Sequence, residues 1–306
     1  MHSDVAVLGC GLIGASWAGL FLASGRHVHA WDPSPDVRAT FPRKVDSVAA
    51  EVELHSLVSR SGARGRLSVA ADLSEAVGPS SFIQENGPEN VELKRRLFAQ
   101  VDAAAPATTV IASSTSSLVW SELFEDLQHP GRCLTAHPFN PPHLLPLVEL
   151  YGPESAVVDD ASALYREVGR VPVRLRKEAV GHIANRLASA LWREAVYLVA
   201  EGIADVEDID RALVNGPGLR WAVVGPHMAY HLGGGPGGIG HYLKHLGRSQ
   251  ERRWATLGRP SLTTEVCEQL RAGIEREAAG RSIAQLEALR DRGLLAVLRA
   301  RRDAGI

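Results

Sequence analysis

The chain has 306 residues, enough for two domains with cores of their own, and its 45% hydrophobic and 22% charged content is ordinary for a globular protein. A formal net charge of -2 excludes nucleic acid or an anionic membrane as the main partner. Three scattered cysteines, Cys10, Cys133 and Cys267, exclude a disulfide framework and a zinc site and imply a reducing, cytoplasmic setting.

Val5 to Leu8 is an apolar, β-prone run that leads straight into Gly9-Cys10-Gly11-Leu12-Ile13-Gly14, and Ala15 to Ser24 has helical character. Strand, tight turn and helix in that order form a dinucleotide fingerprint. The first glycine bends the chain, the second lets backbone approach a pyrophosphate, and the third lets helix and strand pack closely. Free N–H groups at the helix start, including those of Leu12 and Ile13, favour the phosphate charge. The apolar stretch from Val5 to Ala23 reads as neither signal peptide nor membrane span, because four glycines and Ser16 interrupt it and no basic segment precedes it. A second strand, His27 to Trp31, ends in Asp32, 18 residues after Gly14. A carboxylate there accepts ribose hydroxyls and repels a 2′-phosphate, and no Arg follows until Arg38, so the expected cofactor is NAD.

A helical excursion is expected over Ser34 to Ser61. Further strands are expected at Leu67 to Ala70, Ser81 to Gln84, Thr109 to Ser113, Cys133 to His137, Leu147 to Leu150 and Val171 to Leu175, with helices such as Asn90 to Ala104 between. That alternation predicts a parallel sheet of Rossmann type whose ligands lie beyond the carboxyl ends of the strands, where Asp32, Glu85, Ser113 to Ser117 and His137 fall. After Gly181 the pattern turns helical, at Ile183 to Val199, Val206 to Val214, Thr264 to Ala278 and Ser282 to Arg302. Residues 1–180 are therefore expected to bind the cofactor, and 181–306 to form an all-helical substrate and dimerisation domain. Glu207 and Asp208 suit the first turn of a helix and need no catalytic role. The run Gly233 to Gly238 is expected to be a mobile loop.

The segments GCGLIG, FIQENGPENVELKRRLF, IASSTSSL, AHPFNPPHLLPLVEL, GHIANRL and GPGLRWAVVGP stand in an order and spacing that resembles the 3-hydroxyacyl-CoA dehydrogenase superfamily. The likeness is nearest to its lambda-crystallin and L-gulonate 3-dehydrogenase subgroup, with L-carnitine dehydrogenase as a near relative. The resemblance implies a catalytic set of His137 as base, Glu149 as its charge partner, Ser116 and Asn185. Chemistry makes sense of these roles. Oxidising a secondary alcohol removes a hydroxyl proton as hydride leaves, and a histidine held by a carboxylate suits that step. A hydroxyl and an amide can hydrogen-bond the oxygen as its charge changes. The resemblance further implies that Glu85, Lys94 and Ser114 line the cofactor cleft and that the protein is a homodimer. A Glu and a Lys near a helix start are otherwise expected to be solvated.

Gly218-Leu219-Arg220-Trp221 is similar to the small-acid subgroup, and Arg220 offers a planar fork for a free carboxylate, as does Arg186 beside Asn185. A salt bridge is the other reading of each. A small 3-hydroxy acid such as L-gulonate, oxidised to the 3-keto acid, is thus the expected substrate, with a 3-hydroxyacyl thioester or L-carnitine as alternatives. Against carnitine stand a low aromatic content, 6%, with only Trp192, Trp221 and Tyr230 to cage a trimethylammonium, and Asn185 where the resemblance implies Asp in carnitine enzymes. A non-catalytic, NADH-binding crystallin-like protein is the alternative of a different class. His227, His231, His241 and His245 have helical spacing, but a glycine run divides them and no further ligand is near, so no metal is expected.

Overall fold

The computed structural model describes residues 2–58 and 63–306. The chain divides into two compact units, Met1–Arg186 and Leu187–Ile306.

The first unit is built on an eight-stranded sheet. Its strands are β1 (Asp4–Leu8), β2 (His27–Trp31), β3 (Leu67–Val69), β4 (Phe82–Glu85), β5 (Val110–Ser113), β6 (Cys133–Pro138), β7 (Leu147–Tyr151) and β8 (Val171–Arg174), ordered β3-β2-β1-β4-β5-β6-β7-β8. Chain order reverses between β1 and β4, which opens a crevice beyond their carboxyl ends. Helices α1 (Leu12–Ala23), α2 (Pro35–Leu54), α3 (Leu73–Val77), α4 (Val91–Ala104), α5 (Trp120–Phe124) and α6 (Ser155–Glu167) accompany the strands. Along β1, alternate residues feed two separate apolar cores. Val5 and Val7 join one with Trp17, Phe21, Phe41 and Tyr165, while Ala6 and Leu8 join another with Ile83, Phe98 and Phe124. Burial on both faces is why these strands read as unbroken apolar runs. Helix α1 is buried from Gly14 to Ala23, so it too is apolar around its circumference.

One departure from the expected parallel sheet matters for the site. β6 and β7 pair antiparallel, with His137 opposite Glu149. A parallel connection needs a crossover of roughly a dozen residues, and residues 139–146 are too few to supply one. The two ends of the AHPFNPPHLLPLVEL motif are thereby zipped together.

Helix α2 covers Pro35–Leu54 of the helical excursion expected over Ser34 to Ser61, capped by the Ser34 side chain accepting from Val37 N; Ser61 lies outside the described residues.

The second unit continues α7 (Ala184–Ala200) and holds α8 (Val206–Asn215), α9 (Pro217–Trp221), α10 (Pro226–Gly233), α11 (Gly238–Trp254), α12 (Thr264–Ala278) and α13 (Ile283–Asp303). The Gly233 to Gly238 run is not the open loop expected. α10 ends and α11 begins within it, and a single 3₁₀ turn, Gly235–Gly237, closes the gap. Gly235 and Gly238, at φ of +60° and +57°, make so short a link possible. No helix among the described residues is long and apolar enough to cross a membrane.

Candidate active site

The turn after β1 has the geometry a dinucleotide requires. Gly9 sits at φ +91°, and a side chain there would meet Asn86 O at 2.8 Å. At Gly14 a Cβ would lie 2.0 Å from Gly9 O, so only glycine lets α1 start this close to the turn. Gly11 differs, since nothing lies within 4 Å of an added Cβ. That open side faces no protein, and a pyrophosphate can approach the backbone there. The first turn of α1, with Leu12, Ile13 and Gly14, has no acidic residue to oppose an anion, and its leading N–H groups have no intrahelical acceptor. Asp32 closes the turn: its Oδ2 accepts from Cys10 N and its Oδ1 from Ser34 N, both at 2.9 Å. Each oxygen retains a lone pair for a ribose hydroxyl. Arg38 donates to the carbonyl of Asp32. These residues fit an NAD molecule.

Glu85 and Lys94 are not solvated. They form a buried ion pair, Lys94 Nζ lying 2.7 and 2.8 Å from the two Glu85 oxygens and 3.1 Å from Gly87 O. Glu85 also accepts from Gly87 N at 2.6 Å and Ser113 Oγ at 2.7 Å. The pair pins the loop after β4 against the end of β5, with all its charge compensated on the spot. Ser114 is similarly occupied. Its hydroxyl accepts from Gln84 Nε2 at 2.9 Å and Trp17 Nε1 at 3.2 Å and donates to Asn86 Oδ1 at 2.7 Å.

Beyond β6 the residues singled out by sequence come together. His137 Nδ1 lies 2.9 Å from Glu149 Oε2, and both side chains are buried. The other oxygen of Glu149 accepts from Ile183 N at 2.8 Å and Ala184 N at 2.9 Å. Burial by itself would raise the Glu149 pKa. The bonds from His137, Ala184 and Ile183 outweigh it and hold the carboxyl below its ordinary value. An ionised Glu149 can only accept, so Nδ1 of His137 carries the proton and Nε2 presents a lone pair. Asn185 Nδ2 stands 3.5 Å from that Nε2 and donates to Ser116 O at 3.2 Å. The imidazole of His137, the carboxylate of Glu149, the amide of Asn185 and the Ser116 loop thus occupy one cluster in the first unit.

Two members of this cluster were not identified from sequence. One Glu89 oxygen, Oε1, accepts from Thr115 Oγ1, Ser116 N and Ser117 N at 2.8 Å and from the Ser116 and Ser117 hydroxyls at 3.1 Å. Desolvation would raise its pKa, but the donors on Thr115, Ser117 and Ser116 and the charge of Lys94 hold it below the ordinary value. The second is His182. Its ring stacks on His137, centroids 4.9 Å apart, and its Nε2 lies 3.2 Å from Thr115 O. Both stand inside motifs already singled out, ENGPEN and GHIANRL. The available signals were a carboxylate just upstream of the α4 cap residue Asn90 and a histidine after a glycine.

Arg186 and Arg220 are exposed, and among the described residues neither forms an ion pair within the chain. Arg220 lies on the short helix α9. Trp192, Trp221 and Tyr230 are exposed, and among the described residues no ring contact joins them; Tyr230 pairs with Tyr242. The Phe139 ring lies 6.1 Å from the His137 ring. His227 is exposed, His231 accepts from Ile239 N, and His241 and His245 pack ring to ring at 4.2 Å. Among the described residues no group of three or more metal-ligating side chains is placed to hold an ion.

Residues 4–179 match the family described as 3-hydroxyacyl-CoA dehydrogenase, NAD binding domain, and residues 181–278 match its C-terminal domain. The chain is 47% identical over 300 residues to an L-carnitine dehydrogenase of Streptomyces griseus, covering 97% of this chain and 89% of that one. It is 46% identical to an L-carnitine dehydrogenase of Streptomyces coelicolor, covering 97% and 94%. Among solved structures, 5-formyl-3-hydroxy-2-methylpyridine 4-carboxylic acid 5-dehydrogenase, an NAD+ dependent dismutase, superposes with a TM-score of 0.83 at 27% identity, covering 98% of both chains.

Proposed function

This chain belongs to the 3-hydroxyacyl-CoA dehydrogenase family, and on that premise we propose that it is an L-carnitine dehydrogenase, oxidising the secondary alcohol of L-carnitine to the ketone. At the coarser level it is an NAD-dependent dehydrogenase acting on CH–OH donors. The carnitine reading, weighed on sequence as an alternative, is preferred over L-gulonate because near-half identity to enzymes of that name extends along almost the whole chain. The low aromatic content is a weak objection, since a quaternary ammonium needs few rings and Phe139 stands next to the base.

The observation that carries the mechanism is the 2.9 Å bond between His137 Nδ1 and Glu149 Oε2. It leaves Nε2 unprotonated and aimed at the Asn185 amide, and a substrate hydroxyl in that space loses its proton to Nε2. NAD, when bound, supplies the hydride acceptor. Glu149 stabilises the imidazolium that results, while Asn185 donates to the substrate oxygen, as does the Ser116 hydroxyl once it turns from Glu89. In reduction His137 returns the proton. Arg186, adjacent to Asn185, takes the free carboxylate in a two-bond fork. Residues 1–180 form the cofactor domain and 181–306 the substrate and dimerisation domain of a cytoplasmic homodimer.

The test is NADH formation with L-carnitine, L-gulonate, 3-hydroxybutyrate and 3-hydroxybutyryl-CoA as donors, with NADP run in parallel. The expected result is a kcat/KM for L-carnitine with NAD at least about tenfold above every other pairing, equivalent to roughly 1.4 kcal/mol of transition-state preference. Faster turnover of the CoA ester or of L-gulonate would sink the proposal.

A further inference from the structure

His182 stacks on His137 and bonds the carbonyl of Thr115, and the mechanism above gives it no task. Its side chain is 2% exposed and stacks on His137 with ring planes within 18°. Thr115 O can only accept, so Nε2 of His182 carries the proton and Nδ1 is a bare acceptor. That Nδ1 is buried without a partner. An unpaired buried acceptor destabilises a fold, and a phenylalanine of similar size would avoid the cost while keeping the stack. What the imidazole adds is the bond to the carbonyl immediately before Ser116.

The backbone supports the same role. His182 adopts φ of +49°, uncommon for a residue with a side chain. Immediately after that turn, Ile183 N and Ala184 N reach Glu149, and Asn185 follows. We infer that His182 is a positioning residue: it ties the Ser116 loop to the face of the base, so that hydroxyl, base and amide keep one spacing. The inference rests on reading His137 as the base. The charged groups acting on His182 are His137, Glu149 and Glu89, and burial first, then the His137 charge, lower its pKa. It therefore remains neutral while its neighbour takes up the proton, and a second cation in the stack is avoided.

Three proteins test this: the wild type, His182→Phe and His182→Gln. Phe retains ring and volume but has no donor, whereas Gln places a donor near the Nε2 position without the ring. Expected for the Phe variant is a kcat lower by about tenfold or more, since small misplacements of reacting groups are costly. Its KM for NAD should stay within about twofold, because cofactor binding is not the affected step. Its melting temperature should stay close to that of the wild type, since the bare Nδ1 is gone but the Thr115 carbonyl loses its donor, and the backbone amides of residues 115–118 should exchange hydrogen faster. The Gln variant should recover part of the lost kcat. Wild-type kcat and unchanged exchange in the Phe variant overturn the inference, as does a Gln variant no faster than Phe. Exchange requires no substrate, so if none of the four donors is oxidised the proposed reaction fails while the tether is still judged by exchange alone.

Discussion

At the scale of single residues, the proposed reaction depends on a histidine whose lone pair is set by the carboxylate behind it. His137→Gln preserves size and hydrogen bonding but cannot accept a proton at neutral pH. Turnover should fall by about a thousandfold, in the range for loss of a general base, while fluorescence titration shows NADH binding unchanged; undiminished turnover would exclude His137 as base. Acid stability follows from the same residues. His182 has a lowered pKa in the fold, against 6.5 as its ordinary value, so on acidification the unfolded chain binds a proton before the folded one does. Its contribution is present above that value and is lost as pH falls through the folded pKa. Glu149, ordinarily 4.5, is also lowered, and its contribution is lost at more acid pH still. Melting temperature should therefore begin to drop below about pH 6.5, in two stages, with the first absent in His182→Phe. A single-stage profile identical in both proteins would contradict the assignment. His137, Glu149, Ser116 and Asn185 were singled out because the resemblance implied them, and the structure brings them together. Glu89 and His182 were not singled out, because what they do is defined by bonds to a loop 26 and 67 residues away. Glu85 and Lys94 were singled out by resemblance, but their buried ion pair was not legible, since a carboxylate at a strand end and a lysine on a helix give no sign of facing each other.

At the scale of elements, the three glycines of the first turn have separable jobs, and substitutions can separate them. Gly14→Ala drives a Cβ to 2.0 Å from Gly9 O. Helix α1 cannot move aside, being buried along most of its length. A loss of about 2–3 kcal/mol is expected, as for overpacked cores, visible as a lower denaturant midpoint. Gly11→Ala meets no protein atom within 4 Å. It should leave the midpoint unchanged and weaken NADH binding by about tenfold or more, the methyl occupying space the pyrophosphate needs. If both variants lose stability alike, Gly11 does not face the cofactor. Alternation of strand and helix made the Rossmann sheet legible, because β1, β4 and β5 are covered on both faces and carry no ambiguous polar side. The antiparallel turn into β7 was implicit in the short connection from β6 to β7, yet it is decided by chain length and not by residue type. The glycine run was misjudged for a related reason: local composition disfavours helix there, and tertiary context prevails over propensity.

At the scale of the whole molecule, the helical unit is short of core. Beyond residue 187 the buried apolar side chains are Val196, Val206 and Leu295. Against these stand exposed Leu191, Trp192, Leu243, Trp254, Leu257 and Ile274, with many others. A groove lined by Trp192, Val196, Val199, Ile209, Leu270 and Ile274, with a volume of about 430 Å³, runs between α7, α8 and α12. Apolar surface on this scale is rarely left to water in a stable protein. Covering it with a second copy through a two-fold axis buries each helix face against the same face of its partner, which is the commonest way for one chain to complete its own core. The expected state is a homodimer whose stability depends on protein concentration. Light scattering should give the mass of two chains, and Trp192→Glu, which places a charge in the groove, should yield monomer or unfolded protein with weakened turnover. A wild type that scatters as one chain, with a melting temperature independent of concentration, would contradict this arrangement and leave the apolar faces of α7, α8 and α12 to be covered in another way.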